Sequence, residues 1–168
     1  MIRLCAAAFA ASLLLAACAS VPADRAPPGA MPPPSGAAAT SPTLVPTRVL
    51  DRAALARLIA NKGVTLQWID WNTRGSANVR WQGDMLLLTA AQARSGGGRL
   101  FLDGVVEEVG PDYFTFRGRI RIDDTPDAGR RCEANKSWHF AVTQGRPYWR
   151  LREFEWCDGL TDYVDIYF

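Results

Sequence analysis

Three arginines at alternate positions, Arg117, Arg119 and Arg121, are the residues of this sequence best placed to do chemistry. On an extended strand they share one face, about 7 Å between neighbours. Each planar guanidinium can pair with two oxygens at once, so such a row suits a phosphate, a carboxylated glycan or an acidic partner. The competing reading is a solvated outer face with cross-strand pairs to Asp103, Glu153 or Glu155. Arg130, Arg131, Arg150 and Arg152 join the row if their strands lie near.

A catalytic constellation is harder to assemble. His139 is the single histidine, and it stands between Trp138 and Phe140 in a strand pattern. A Ser–His–acid triad would require it, yet no serine stands in a nucleophile-elbow context. Zinc usually takes several His or Cys ligands. Asp123-Asp124-Thr125-Pro126-Asp127-Ala128-Gly129 gathers three carboxylates but lacks the calcium-loop spacing, and Asp, Pro and Gly are what a plain turn requires. Glu107 and Glu108 are adjacent in a strand, so they face opposite sides and do not form an acid/base pair. No catalytic residue, metal or cofactor is therefore assigned. Trp68, Trp81 and Trp138 fall on alternating apolar positions and read as core. Trp71 and Trp149 are less clearly placed and leave stacking on a sugar open.

The amino terminus carries a different kind of signal. Met1-Ile2-Arg3 is a short positive start, and Leu4 to Leu14 is an apolar run too short to span a bilayer. It ends in Leu15-Ala16-Ala17-Cys18, which resembles the lipobox of bacterial lipoproteins. The resemblance covers residues 1–18 only. It implies removal of a signal peptide at 1–17, lipid on the Cys18 thiol and acylation, as by palmitate, of the new amino terminus. Ala19 in place of Asp implies sorting to the outer membrane, with the domain in the periplasm of a Gram-negative envelope. Several acyl chains together anchor firmly, whereas one alone is marginal.

With Cys5 removed in the signal and Cys18 lipidated, Cys132 and Cys157 remain. An even pair in an oxidising compartment reads as a disulfide, and no Cys-x-x-Cys redox motif is present.

Composition then divides the chain. Of the 17 aromatic residues only Phe9 precedes Trp68, whereas eight of the 11 prolines lie between Pro22 and Pro46. Residues 18–47 therefore read as a Pro/Ala-rich, partly polyproline tether. Residues 48–168 read as one globular domain, too short for two. Loss of Arg3 leaves 18 basic against 17 acidic groups, so the basic excess of a nucleic-acid binder is missing. Seventeen of the 19 basic residues are Arg, a bias that a GC-rich genome also produces.

The elements that must position these residues follow from periodicity. Asp51 reads as a helix N-cap, Leu50 and Leu55 as a hydrophobic staple, Leu55, Leu58 and Ile59 as an apolar stripe, and Gly63 as a C-terminal cap. Together they predict a helix over 52–61. From Val64 onward the period is 2. Gly83-Asp84 is a hairpin turn opposing Trp81 to Leu86 and Val79 to Leu88. Ser95 to Gly98 is a flexible break. A three-residue loop, Gly110-Pro111-Asp112, opposes Val106 to Phe116, Gly104 to Gly118, Asp103 to Arg119, Leu102 to Ile120 and Leu100 to Ile122. Further strands are expected at about 137–143, 147–154 and 162–168. One short helix followed by about eight antiparallel strands predicts a mainly β small barrel or sandwich, similar to a lipocalin in strand count only. The alternative is an α+β fold of cystatin or NTF2 type, a helix laid on a curved sheet. The function expected is a lipid-anchored, non-catalytic binding or accessory module for an envelope protein, glycan or lipid. The alternative is a small envelope enzyme with a site built from Asp, Glu and Arg.

Overall fold

The computed structural model describes residues 45–168; Cys18, the rest of the lipobox and most of the tether lie outside the described residues. Asp51 has extended backbone, and its carboxylate accepts the Ala54 amide at 2.6 Å, which starts helix α1 (Arg52–Ile59). The helix stops two residues short of the expected 61. Its buried contacts are Ala54 and Leu58, with Leu55 half-buried. Leu50 and Ile59 are 56% and 43% exposed, so neither the staple nor the stripe forms as the sequence pattern implied. The small Ala54 lets the helix lie close on a narrow face, which turns Ile59 outward. Gly63 does not cap the helix. A Cβ there would stand 2.3 Å from the Gly75 carbonyl oxygen, so its bare backbone serves a close approach of two chains.

The strands are β1 (Arg48–Val49), β2 (Val64–Leu66), β3 (Ser76–Gln82), β4 (Met85–Arg94), β5 (Gly97–Val109), β6 (Tyr113–Asp123), β7 (Arg131–Ala141), β8 (Tyr148–Leu151) and β9 (Val164–Tyr167). They lie in the order β2-β9-β8-β7-β6-β5-β4-β3, antiparallel throughout, while β1 pairs with the end of β5 in parallel. The sheet curls until its two ends almost meet. Val64 and Gly75 exchange two backbone hydrogen bonds of 3.1 and 2.8 Å across the seam. Beyond that point the strands diverge, and a side chain takes over. Gln92 is buried; its Oε1 accepts the Leu66 amide at 2.6 Å, and its Nε2 donates to the Asp70 and Thr73 carbonyls at 2.9 and 2.7 Å. The result is a nearly closed, mostly β barrel with one short helix, and the cystatin- or NTF2-like alternative does not describe it.

Alternation fills the inside. Trp138, Trp149, Phe114, Phe116 and Phe140 are fully buried there, with Leu86, Leu88, Leu100, Ile120 and Ile122. Barrels of this strand number have an interior that side chains can fill. Trp149 therefore belongs to the core and is not free to stack on a sugar. Trp81 is the opposite correction. It shares the inward parity of Val79 but lies at the end of β3, and it is 44% exposed.

The β3–β4 hairpin has the expected register, Trp81 opposite Leu86 and Val79 opposite Leu88. The β5–β6 hairpin likewise opposes Leu100 to Ile122, Leu102 to Ile120, Asp103 to Arg119, Gly104 to Gly118 and Val106 to Phe116. Close approach of the two backbones explains the glycine pair, because a Cβ on Gly104 would stand 2.3 Å from the Arg117 carbonyl oxygen and one on Gly118 2.4 Å from that of Asp103, with the Phe116 ring at 2.9 and 2.6 Å. Residues 110–112 join the two strands as expected, but the register beside them differs. A bulge at Glu107 shifts the register, so that Glu108 opposes Thr115 and Val109 opposes Phe114. The later strands also differ in extent. Strand β7 begins six residues earlier than 137, whereas β8 and β9 are shorter than 147–154 and 162–168. Cys132 and Cys157 form a disulfide, Cα atoms 5.9 Å apart, tying the start of β7 to the segment between β8 and β9.

Candidate functional site

Strand β6 points Arg117, Arg119 and Arg121 outward, as Phe114, Phe116, Ile120 and Ile122 take the inward positions. Their neighbours are largely acidic. Arg121 Nε lies 2.7 Å from Asp123 Oδ2 and 3.8 Å from Glu133, and Arg119 reaches the same Glu133 at 4.0 Å. The Asp123 carboxylate beside Arg121 pushes that guanidinium further toward its charged form. Arg117 meets Ser137 Oγ at 3.4 Å and has no acidic partner within 4.0 Å among the described residues. Asp103 stands opposite Arg119 in register, but the ion pair of Arg119 is with Glu133. Glu153 accepts the His139 amide at 3.2 Å instead of an arginine, so the acids that neutralise the row are Asp123 and Glu133. Arg119 and Arg121 edge a shallow outer groove of about 450 Å³ with Phe101, Asn78, Thr89 and Asp103.

Of the other arginines, Arg131 of β7 stands opposite Asp123 and extends the outer face of this row, whereas Arg130, Arg150 and Arg152 lie elsewhere. Arg130 is buried between two carboxylates, donating to Asp158 at 2.8 and 2.9 Å, to Asp162 at 3.0 and 2.9 Å, and to the Thr125 carbonyl at 3.0 Å. All five N–H groups are thereby used. Trp68 Nε1 adds a bond to Asp162 at 3.1 Å. This is a structural clamp beside the disulfide. Asp158 is held below the usual carboxylate range, first by the Arg130 hydrogen bond. It lies close to Cys132 and Cys157, but their sulfurs are bonded to each other and so cannot serve as thiolate ligands.

Arg150 is built differently. On the outer face of β8 it stands opposite Asp165 of β9, which is fully buried. Nε and Nη2 each donate to that carboxylate at 2.7 Å, a bidentate pair. Burial pushes the Asp165 carboxyl up, and the Arg150 hydrogen bonds pull against it. The guanidinium lies 4.0 Å from the Tyr163 ring centre and 5.6 Å from that of Trp71. Nη2 also donates to the Tyr148 hydroxyl at 3.3 Å, and Arg146 Nη1 donates to the same oxygen at 3.0 Å. Two guanidiniums thus converge on one neutral oxygen. Arg150 Nη1 has no partner among the described residues.

In front of this group lies a groove of about 600 Å³, lined by Thr143, Gln144, Arg146, Arg150, Arg152, Phe154 and Tyr163. No carboxylate among the described residues lines it. Arg146 and Arg152 have no acidic group within 4.0 Å among the described residues, so the one negative charge here is Asp165, behind Arg150. The arrangement can take an anion without first breaking an ion pair.

The remaining candidates do not assemble a reactive centre. His139 is half-buried on the outer face, its ring 5.4 Å from that of Tyr113. The bulge places Glu107 and Glu108 on one groove, contrary to the opposite facing that regular pleating implies. Glu108 nevertheless accepts from the Tyr113 hydroxyl at 2.5 Å and pairs with Arg48, which lowers its pKa and raises that of Tyr113. The Asp123–Gly129 stretch is a turn: Asp124 accepts the Gly129 amide at 3.0 Å and pairs with Arg99 at 2.7 Å. Trp71 is 43% exposed and remains available at the surface. No described helix is long and apolar enough to cross a membrane.

Sequence reasoning missed the Arg150–Asp165 pair. The signal was Arg146, Tyr148, Arg150 and Arg152 on one parity, with Asp165 placed between Val164 and Ile166.

A family model, the PM1083 family, matches residues 46–168. An uncharacterised protein of Pasteurella multocida, PM1083, is 31% identical over 114 residues, 67% of this chain and 74% of that protein. No solved structure matches.

Proposed function

This chain belongs to the PM1083 family, and we propose that its domain is a non-catalytic binding module, lipid-anchored through Cys18 in the outer membrane, that captures an anionic group of an envelope component on β8. The observation that carries the binding reading is Arg150. A buried carboxylate fixes its guanidinium, and among the described residues Nη1 stays unpaired beside two further arginines that have no acid. A preoriented fork loses little conformational freedom when an oxyanion arrives, which is how such a site gains affinity. The row on β6 is the lesser site, because Glu133 and Asp123 already answer two of its three charges. An enzymatic reading finds less support. The buried carboxylates Asp123, Asp162 and Asp165 are each committed to an arginine, and a general acid or base must be free to exchange its proton.

The anchor and the site are tested separately. Cys18→Ser is expected to release the protein from the membrane fraction or leave the signal unprocessed. Mature Cys18→Ser protein in the outer-membrane fraction would defeat the anchor. For the site, thermal unfolding of the mature chain in citrate or pyrophosphate at fixed ionic strength should rise in Tm, and the rise should vanish in Arg146→Gln/Arg152→Gln. An unchanged rise in that double variant would remove β8 as the site.

A further inference from the structure

We propose that the β8 groove reads a sugar bearing a phosphate or carboxylate, with Gln144 recognising the sugar part; this rests on the anion-binding reading above. The β7–β8 connection turns on Gln144-Gly145, whose φ angles are both positive, 57° and 63°. The Arg146 amide closes it on the Thr143 carbonyl at 3.2 Å. This is a tight turn inside the connection 142–147, with both central residues in the left-handed region. Glycine adopts such backbone freely, and Asn or Asp visit it more readily than other side chains. Gln at the first central position therefore carries a cost that Gly or Asn would reduce. Gln144 has the amide of Asn on a stem one methylene longer, and it lines the groove beside Thr143. A local rule broken at the rim of a binding groove marks a position where the ligand, and not the turn, sets the residue.

The groove supports the same assignment. Its volume of about 600 Å³ is in the range of small-molecule sites and well beyond what one bare anion fills. Its lining divides into two chemistries. Arg146, Arg150 and Arg152 offer only donors and positive charge, which suit an oxyanion. Thr143 and Gln144 are neutral and can both donate and accept, which suits the hydroxyls of a sugar. Phe154 and Tyr163 are its two rings, packed edge-to-face 5.5 Å apart with Arg150 over Tyr163, and they leave too little apolar surface for an acyl chain.

Calorimetric titration of the mature chain with inorganic phosphate, glucose, glucose 1-phosphate and glucuronate tests this. The two sugar anions are expected to bind about tenfold tighter than phosphate, the worth of one or two added hydrogen bonds, and glucose to show no binding. Gln144→Gly should abolish that tenfold preference while phosphate affinity and Tm stay equal to or above wild type, since the turn is relieved. Equal affinity for phosphate and both sugar anions, or a Gln144→Gly chain that keeps the preference, overturns the sugar assignment and leaves the anion site standing. Absence of binding by all three anions overturns the anion site and the sugar assignment with it. Preference for glucose 1-phosphate or for glucuronate alone decides which anion the sugar carries.

Discussion

On β6, Arg117, Arg119 and Arg121 stand on one outer face beside a shallow groove; Arg150 of β8, with Arg146 before the strand and Arg152 just beyond it, shares that alternation beside a second groove. The residue type and parity are alike, and the surroundings are not. The β6 row has acids beside it, Glu133 and Asp123, so its positive charge is answered within the sheet. The β8 group has its single acid underneath, where Asp165 orients Arg150 without covering Nη1. A carboxylate beside an arginine neutralises it, whereas a buried carboxylate behind one aims it. Spacing along a strand reports neither relation, because both depend on which strand lies next door.

The largest expected effect separates the two regions directly. Arg150→Gln leaves Asp165 buried without its partner, and breaking a buried pair in this way costs about 3 kcal/mol or more. Urea unfolding should show the lost stability as a lower midpoint at unchanged slope. A midpoint equal to wild type would mean that Asp165 does not depend on Arg150, and the contrast with β6 would collapse.

Next in size is the disulfide, which holds the segment carrying Phe154 and Asp158 against the start of β7. Cys132→Ser/Cys157→Ser opens a loop of sequence separation 25. The expected loss is about 3 kcal/mol from loop entropy. If the β8 groove needs that segment in place, anion-induced stabilisation should weaken in the same variant. Loss of stability with full anion response would show that β8 and β9 alone hold the site.

A smaller effect concerns the Arg130 clamp. The folded pKa of Asp158 lies below its unfolded value. Its contribution to stability is therefore complete above the ordinary carboxylate range, near about pH 4, and is lost as pH falls through the folded value. Asp158→Asn should make the acid limb of the stability profile shallower and leave the alkaline limb unchanged. An identical acid limb would remove Asp158 from the clamp.

How far the fold was legible follows from the same contrast. The β3–β4 and β5–β6 registers could be read because apolar residues alternate without interruption there, and a slip would have exposed Phe116 or Ile120. The start of β7 could not, because Glu133, Asn135 and Lys136 are exposed and offer no apolar alternation. The bulge at Glu107 has no composition of its own, so two adjacent glutamates were assigned to opposite faces. Trp149 and Trp81 exchanged roles because parity tells which side a residue faces but not how far along the barrel the core extends. Arg150 read as a candidate extension of the β6 row and Asp165 only as part of the last strand, since a buried ion pair is visible only once both strands are side by side.

The smallest expected effect is on β6, and it tests the comparison from the other side. Arg119 and Arg121 are about 50% and 37% exposed in their side chains, and Glu133 is 50% exposed. Water screens such pairs, and ordering two long side chains offsets most of their attraction. Replacing Arg117, Arg119 and Arg121 together by Gln should therefore leave the urea midpoint within measurement error of wild type. Glu133 then loses its partners, but it is solvated and needs none. Arg117 is the one member with no acid, so any function of this row must pass through it and through the groove that Arg119 and Arg121 share with Phe101. The triple variant should accordingly capture envelope components from membranes as well as wild type does, while Arg146→Gln/Arg152→Gln does not. If capture instead fails in the triple variant and survives in the double one, the exposed row is the binding face. The β8 arginines would then be a stabilising cluster, and answered charge would be no guide to where this barrel binds.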